Sequence, residues 1–179
     1  DVLGSRGLGD VYKRQVYTWS TSADKLFAER DFRITDKNGE TIVIATSRWL
    51  YMDINRRRPV RITPEIMDRY ESEPETHVFT EKVNRIDPPD TGYIEIPYNI
   101  LRRDVDYLGH MHNISYLDAA YDVMPEEYFN GPQFNFVSIE YRKELLRNDE
   151  VKAHFYKIDK GCIISLNTDK INAVIMLKY

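Results

Sequence analysis

The sequence predicts an α+β fold, and three observations predict it. Residues 93–179 open with an alternating strand, pass into a helical pattern and end in a run of strands divided by turn residues. Ahead of them, "DKNGE" at 36–40 carries a hairpin signal between two strand-like stretches. Thirteen Tyr and seven Phe favour strands and a packed interior.

The elements follow in chain order. "DVLGSRGLGDVYKRQ" (1–15) holds three of the eight glycines and has no apolar periodicity. It resembles a translated sequencing adapter and is set aside as a foreign or disordered segment; on this reading the native chain began further upstream. "VYTWSTSA" and "LFAERDFRIT" read as strands. Asn38-Gly39 turns the chain, because both residues tolerate positive φ. "TIVIATSRWLYMDI" is the long return strand. "TPEIMDRY" reads as a short helix with Thr63 as N-cap, Pro64 at its first position and Glu65 in its first turn. Residues 71–92, acidic and then rich in Pro and Gly, read as a linker.

In "YIEIPYNI", Ile94, Ile96, Tyr98 and Ile100 share one face. Further on, Ile114, Leu117, Tyr121 and Met124 recur at steps of three, four and three, a helical stripe that Pro125 ends. "FNFVSIEYRKE", "EVKAHFYKI", "GCIISLNT" and "INAVIMLKY" are four strands. One strand, one buried helix and an antiparallel run is the element order of a hotdog domain.

Bulk properties narrow the functions. The 179 residues suffice for one ordinary domain or two small ones, and 42% are apolar. A pI near 5.6 argues against nucleic acid as the main partner. Cys162 is the one cysteine, so no intrachain disulfide forms, and a reducing, cytoplasmic setting is expected. No apolar run approaches the roughly 20 residues of a membrane span.

Two aspartates, two histidines and an asparagine fall between Asp104 and Asn113, just ahead of the helical pattern. A metal site, a catalytic site and a polar loop compete for them. His110 and His112 form a His-x-His pair that Asp104 and Asp106 could complete. Yet His77 and His154 are remote, and no other His or Cys ligand sits at usual spacing, so no metal is expected. Asp106 also suits an Asx turn. Glu144 also reads as a rim charge beside Arg142 or Lys143. Tyr116 and Cys162 read as core.

The chain resembles bacterial acyl-acyl-carrier-protein thioesterases, which are tandem hotdog proteins. Their catalytic segment runs roughly Asp-x-Asn-x-His-Val-Asn-Asn-x-x-Tyr, with Glu-Tyr-Arg-x-Glu downstream. Asp106, His110, Asn113 and Tyr116 match the first part, and Glu140 to Glu144, "EYRKE", the second. Leu108 stands where the family usually has Asn, and His112 replaces the first Asn of the Asn-Asn pair. The resemblance implies a nearly complete C-terminal hotdog domain at 93–179, preceded at 16–70 by the second half of an N-terminal one. It implies hydrolysis of acyl-carrier-protein thioesters and release of fatty acid. Glu144 would be general base or nucleophile, His110 would orient it or assist proton transfer, and Asp106 would fix the arrangement. Asn113, at a helix start that polarises the thioester carbonyl, and the basic pair Arg102 and Arg103 would bind substrate. The implied partner is acyl carrier protein with its phosphopantetheine-linked chain. No cofactor, nucleic acid or membrane is implied, and a homodimer is compatible with it. A non-catalytic acyl-binding hotdog module and a hotdog dehydratase of hydroxyacyl thioesters are the alternatives.

Overall fold

The computed structural model describes residues 14–80 and 84–179. The foreign-segment expectation for 1–15 therefore lies, up to residue 13, outside the described residues. Contacts divide the chain into two compact units, the first ending at Val83 and the second spanning Asn84–Tyr179.

In the first unit, β1 (Gln15–Asp24), β2 (Phe27–Thr35) and β3 (Thr41–Leu50) form an antiparallel sheet in that order. The 36–40 hairpin turn is as expected in place but not in mechanism. Only Gly39 takes positive φ, at 85°. Asn38 stays outside that region, because the Asp36 carboxylate accepts the N–H groups of Asn38 (2.8 Å) and Glu40 (2.9 Å) and holds the turn itself. The long return strand stops at Leu50. Beyond it β4 (Met52–Asp53) and β5 (Arg58–Pro59) make a small hairpin. Helix α1 (Pro64–Arg69) follows, with Pro64 in its first turn. Thr63 occupies the N-cap position, but its side chain makes no capping bond; its hydroxyl instead lowers the pKa of the Glu65 carboxyl by hydrogen bonding. Residues after the helix are tied back to the sheet. Glu73 N–H donates to Ser20 O (2.8 Å), and Val78 N–H donates to the buried Asp31 carboxylate (2.8 Å).

The second unit holds β6 (Tyr93–Tyr98), a 3₁₀ turn (Arg102–Asp104), α2 (Ser115–Asp122), α3 (Glu126–Phe129), β7 (Phe136–Tyr141), β8 (Val151–Ile158), β9 (Gly161–Asn167) and β10 (Ile171–Lys178). The strands form one antiparallel sheet in the order β6-β8-β9-β10-β7. Alternation puts Ala153, Phe155, Ile164, Leu166, Ala173, Ile175 and Leu177 on the face that packs with α2, the hotdog arrangement. Ile164, Leu166, Ile175 and Leu177 lose all exposure, each worth roughly 1.5–3 kcal/mol of burial.

The helix presents a different face from the expected stripe. Ile114 is 64% exposed and Tyr121 37% exposed; of that stripe only Met124 is buried and Leu117 partly so. Tyr116, Ala119, Ala120 and Val123 face the core instead. Both series have helical spacing. The alanines win because a side chain of one carbon lets the helix axis come close to a sheet already filled by Ile and Leu. Pro125 ends this helical stretch as expected and also caps α3, a short helix missed in the sequence. Among the described residues no helix is long and apolar enough to cross a membrane.

Candidate active site

The 104–113 segment folds as a tight hairpin loop. Val105 and Met111 form a β-bridge, and between them Asp106 N–H donates to His110 O (2.9 Å). The half-buried Asp106 carboxylate turns inward. One oxygen, Oδ1, accepts the N–H groups of Leu108 (2.9 Å) and His110 (3.1 Å). Gly109, at φ 85°, completes the turn where a side chain would strain the backbone. Asp104 is buried and acts in the same way one turn earlier. Its carboxylate accepts Leu101 N–H (2.7 Å), and its carbonyl accepts His112 N–H (2.7 Å). Both aspartates therefore fix backbone, as the Asx-turn reading foresaw for Asp106.

A second segment meets this loop. β7 ends at Tyr141, so Glu144 lies three residues past the strand, in irregular backbone. The expectation that a strand carries Glu144 is corrected: Arg142 and Lys143 break the ladder by both bonding to Asn172 O (2.7 and 3.0 Å). Leu145 is fully buried just beyond, and its carbonyl accepts Met111 N–H (2.8 Å). His110 forms a β-bridge with Leu146. These contacts bring His110 Nε2 to 3.3 Å from Glu144 Oε2. The imidazole is 30% exposed and the carboxylate 64%, so the pair sits at the surface, open to water.

Of "EYRKE", residues other than Glu144 serve the frame. Tyr141 stacks edge-on to Tyr116 (5.0 Å), and its hydroxyl donates to Asn113 O (3.1 Å). Burial raises both phenols above their ordinary 10.0, so each remains a neutral donor at pH 7. Glu140 points to the opposite face of the sheet. There Arg142 bonds its two oxygens (3.1 and 3.2 Å), and Ile86 N–H donates to it (2.9 Å). Neither the Glu140–Arg142 clamp nor the Tyr141–Asn113 bond was legible beforehand. Only the repeated polar residues of the motif hinted at them.

Asn113 lies exposed just ahead of α2. The helix start is more fully engaged than expected. Ser115 N–H donates to His112 O (2.9 Å), Leu117 and Asp118 N–H return to Ile114 O (3.0 and 3.3 Å), and Ile114 N–H meets His112 Nδ1 (3.3 Å). Donors for a substrate oxygen are thus fewer than a bare helix end would supply. Arg102 and Arg103 are exposed on the 3₁₀ turn. Arg103 lies 3.8 Å from Asp104, and among the described residues no hydrogen bond or ion pair joins either arginine to His110, Glu144 or Asn113. Also among the described residues, no set of three His, Cys, Asp or Glu is placed to hold a metal ion.

A hotdog sheet packed on one helix, with His110 and Glu144 brought together by two loops, defines the class: a hotdog protein. The chain belongs to the acyl-ACP thioesterase family: residues 12–70 match its N-terminal domain and residues 89–177 its C-terminal domain. It is 27% identical over 148 residues to oleoyl-acyl carrier protein thioesterase 2 of Arabidopsis thaliana, covering 76% of this chain and 40% of that protein. It is 26% identical over 151 residues to the palmitoyl-acyl carrier protein thioesterase of the same plant, covering 81% and 36%. The chain thus spans about two-fifths of the length of these relatives. Its fold matches an acyl-ACP thioesterase from Bacteroides thetaiotaomicron, with TM-score 0.75, 20% identity, 92% of this chain and 68% of that one. It also matches the 12:0-ACP thioesterase of Umbellularia californica, with TM-score 0.77, 18% identity, 92% and 66%.

Proposed function

We propose that the protein hydrolyses the thioester of acyl-acyl carrier protein and releases free fatty acid. The observation that carries the reading is the 3.3 Å approach of His110 Nε2 to Glu144 Oε2 beside the entrance of α2. A carboxylate that close to an imidazole can accept a proton and be steadied while it does so. Family membership and the thioesterase names of the relatives support the substrate class.

Glu144 takes a proton from water as the water oxygen attacks the thioester carbonyl carbon. The new C–O bond forms, and the carbonyl electron pair moves onto oxygen. The Asn113 amide, just ahead of α2, would receive that oxygen, with the positive end of the α2 dipole behind it. Collapse breaks the C–S bond. The departing phosphopantetheine thiolate receives the proton, and His110 steadies the charge on Glu144 while this happens. Asp106 acts one step back, by fixing the backbone of Leu108 and His110. Arg102 and Arg103 offer exposed positive charge to the phosphopantetheine phosphate and to an acidic carrier surface.

The test is release of free thiol from a panel of acyl-carrier-protein thioesters of graded chain length. Hydrolysis faster than the uncatalysed rate supports the reading. Tight binding with no release would instead make the chain a non-catalytic acyl-binding module, the outcome that an apolar Leu108 favours.

A further inference from the structure

Glu144 has no strand to hold it, yet its backbone is fixed from one place. Asn172 sits where the β9–β10 register skips between Ile171 and Ala173. It has no solvent exposure. Its carbonyl accepts the N–H groups of Arg142 (2.7 Å) and Lys143 (3.0 Å). Its side-chain Nδ2 donates to Glu144 O (3.2 Å), and its Oδ1 accepts Thr168 N–H (3.0 Å) and Thr168 Oγ1–H (2.9 Å). Three successive residues leading to the carboxylate thus rest on a single buried residue.

The amide orientation follows from chemistry. Exchanging its nitrogen and oxygen would set NH₂ against Thr168 N–H and oxygen against the Glu144 carbonyl, two repulsive contacts in place of two attractive ones. Serving the strand irregularity alone would need only the backbone of Asn172. The side-chain bond to Glu144 O goes beyond that need, and it pins the Cα from which the carboxylate reaches His110.

We infer that Asn172 is a positioning residue for Glu144, holding its backbone so that the carboxylate meets His110 and the attacking water. The inference rests on the thioesterase reading above. An error of about 1 Å at a reacting group can cost on the order of 10²-fold in rate. Losing the bond should therefore lower turnover without weakening substrate binding.

The test compares Asn172→Asp, Glu144→Gln and the double variant under single-turnover and steady-state conditions with acyl carrier protein thioester. Asn172→Asp keeps the acceptor for Thr168 and replaces the donor to Glu144 O with an oxygen. The expected result is a 10- to 100-fold fall in kcat with KM within about twofold. In the Glu144→Gln background the same change should cost nothing further, because the group it positions is already disabled. Should the aspartate fail to fold, Asn172→Ser gives the same comparison with a smaller neutral side chain. An unchanged kcat in a folded Asn172 variant overturns the inference, and so does an equal loss in both backgrounds. If neither variant folds, Asn172 serves the fold and not the site, and the inference again fails. A Glu144→Gln variant as active as the parent overturns the thioesterase mechanism itself, and the positioning role with it.

Discussion

His110 and Glu144 meet at 3.3 Å although neither belongs to a helix or a regular strand. The β-bridge of His110 with Leu146 and the Met111–Leu145 hydrogen bond draw two irregular segments together. The geometry of the site is therefore a property of loop backbone, and changes to that backbone should be felt as chemistry.

Helix packing gives the first prediction. Ala119 and Ala120 have no exposure, while Ile114 is largely exposed. Ala120→Leu should overpack the helix–sheet contact and cost about 1–3 kcal/mol. Ile114→Ala should stay within roughly 0.5 kcal/mol. Urea unfolding midpoints of the two variants check this; the reverse order would restore the Ile114–Leu117–Tyr121–Met124 stripe.

That contrast marks how much could be read in advance. The later strands of the second unit follow from short apolar runs divided by turn residues, and β8 to β10 fall within a residue or so of expectation. The face of α2 does not, because two series share its spacing and alanine carries little apolar weight in a pattern. In the site, His110 and Glu144 were legible only through family resemblance. Asn172 is 28 residues beyond Glu144, and no local pattern links them. It took the register skip in β10 to bring its amide under the loop.

Asp106 should act through the backbone and not through its charge. Asp106→Asn keeps an acceptor oxygen for Leu108 and His110 N–H, so turnover should stay within several-fold of the parent. Asp106→Ala removes both bonds. It should cost about 1–3 kcal/mol in stability and at least 10-fold in kcat. Equal losses in the two variants would give the carboxylate charge a direct role.

Leu108 is 61% exposed, and its N–H is already held by Asp106. Asparagine therefore fits there without loss of packing. Leu108→Asn should raise the single-turnover rate of hydrolysis, by about 10-fold if its amide reaches the reacting group with one good hydrogen bond. An unchanged rate would mean that Asn113 or His112 already fills the position.

Burial pushes the Cys162 thiol from 9.0 up to about 12, and partial burial, with Asp104 nearby, pushes the Tyr98 phenol from 10.0 also to about 12. Both folded values are raised. Their contribution to stability is thus complete below the unfolded values, near 9 for the thiol and 10 for the phenol, and is lost as pH climbs towards 12. Unfolding midpoints should fall steadily from pH 9 upward. In native buffer at pH 8 a thiol-labelling reagent should leave Cys162 untouched until denaturant is added. Rapid native labelling would contradict the buried placement.

Glu144→Gln is the most direct measurement of the whole account. The change keeps size and hydrogen bonding and removes basicity. With acyl carrier protein thioester, the single-turnover rate of fatty acid release should fall by about 10²–10⁴-fold. The dissociation constant for the same substrate should move by less than about twofold, placing the loss in the chemical step. A variant that hydrolyses at the parent rate would contradict the account and leave the His110–Glu144 approach as mere proximity.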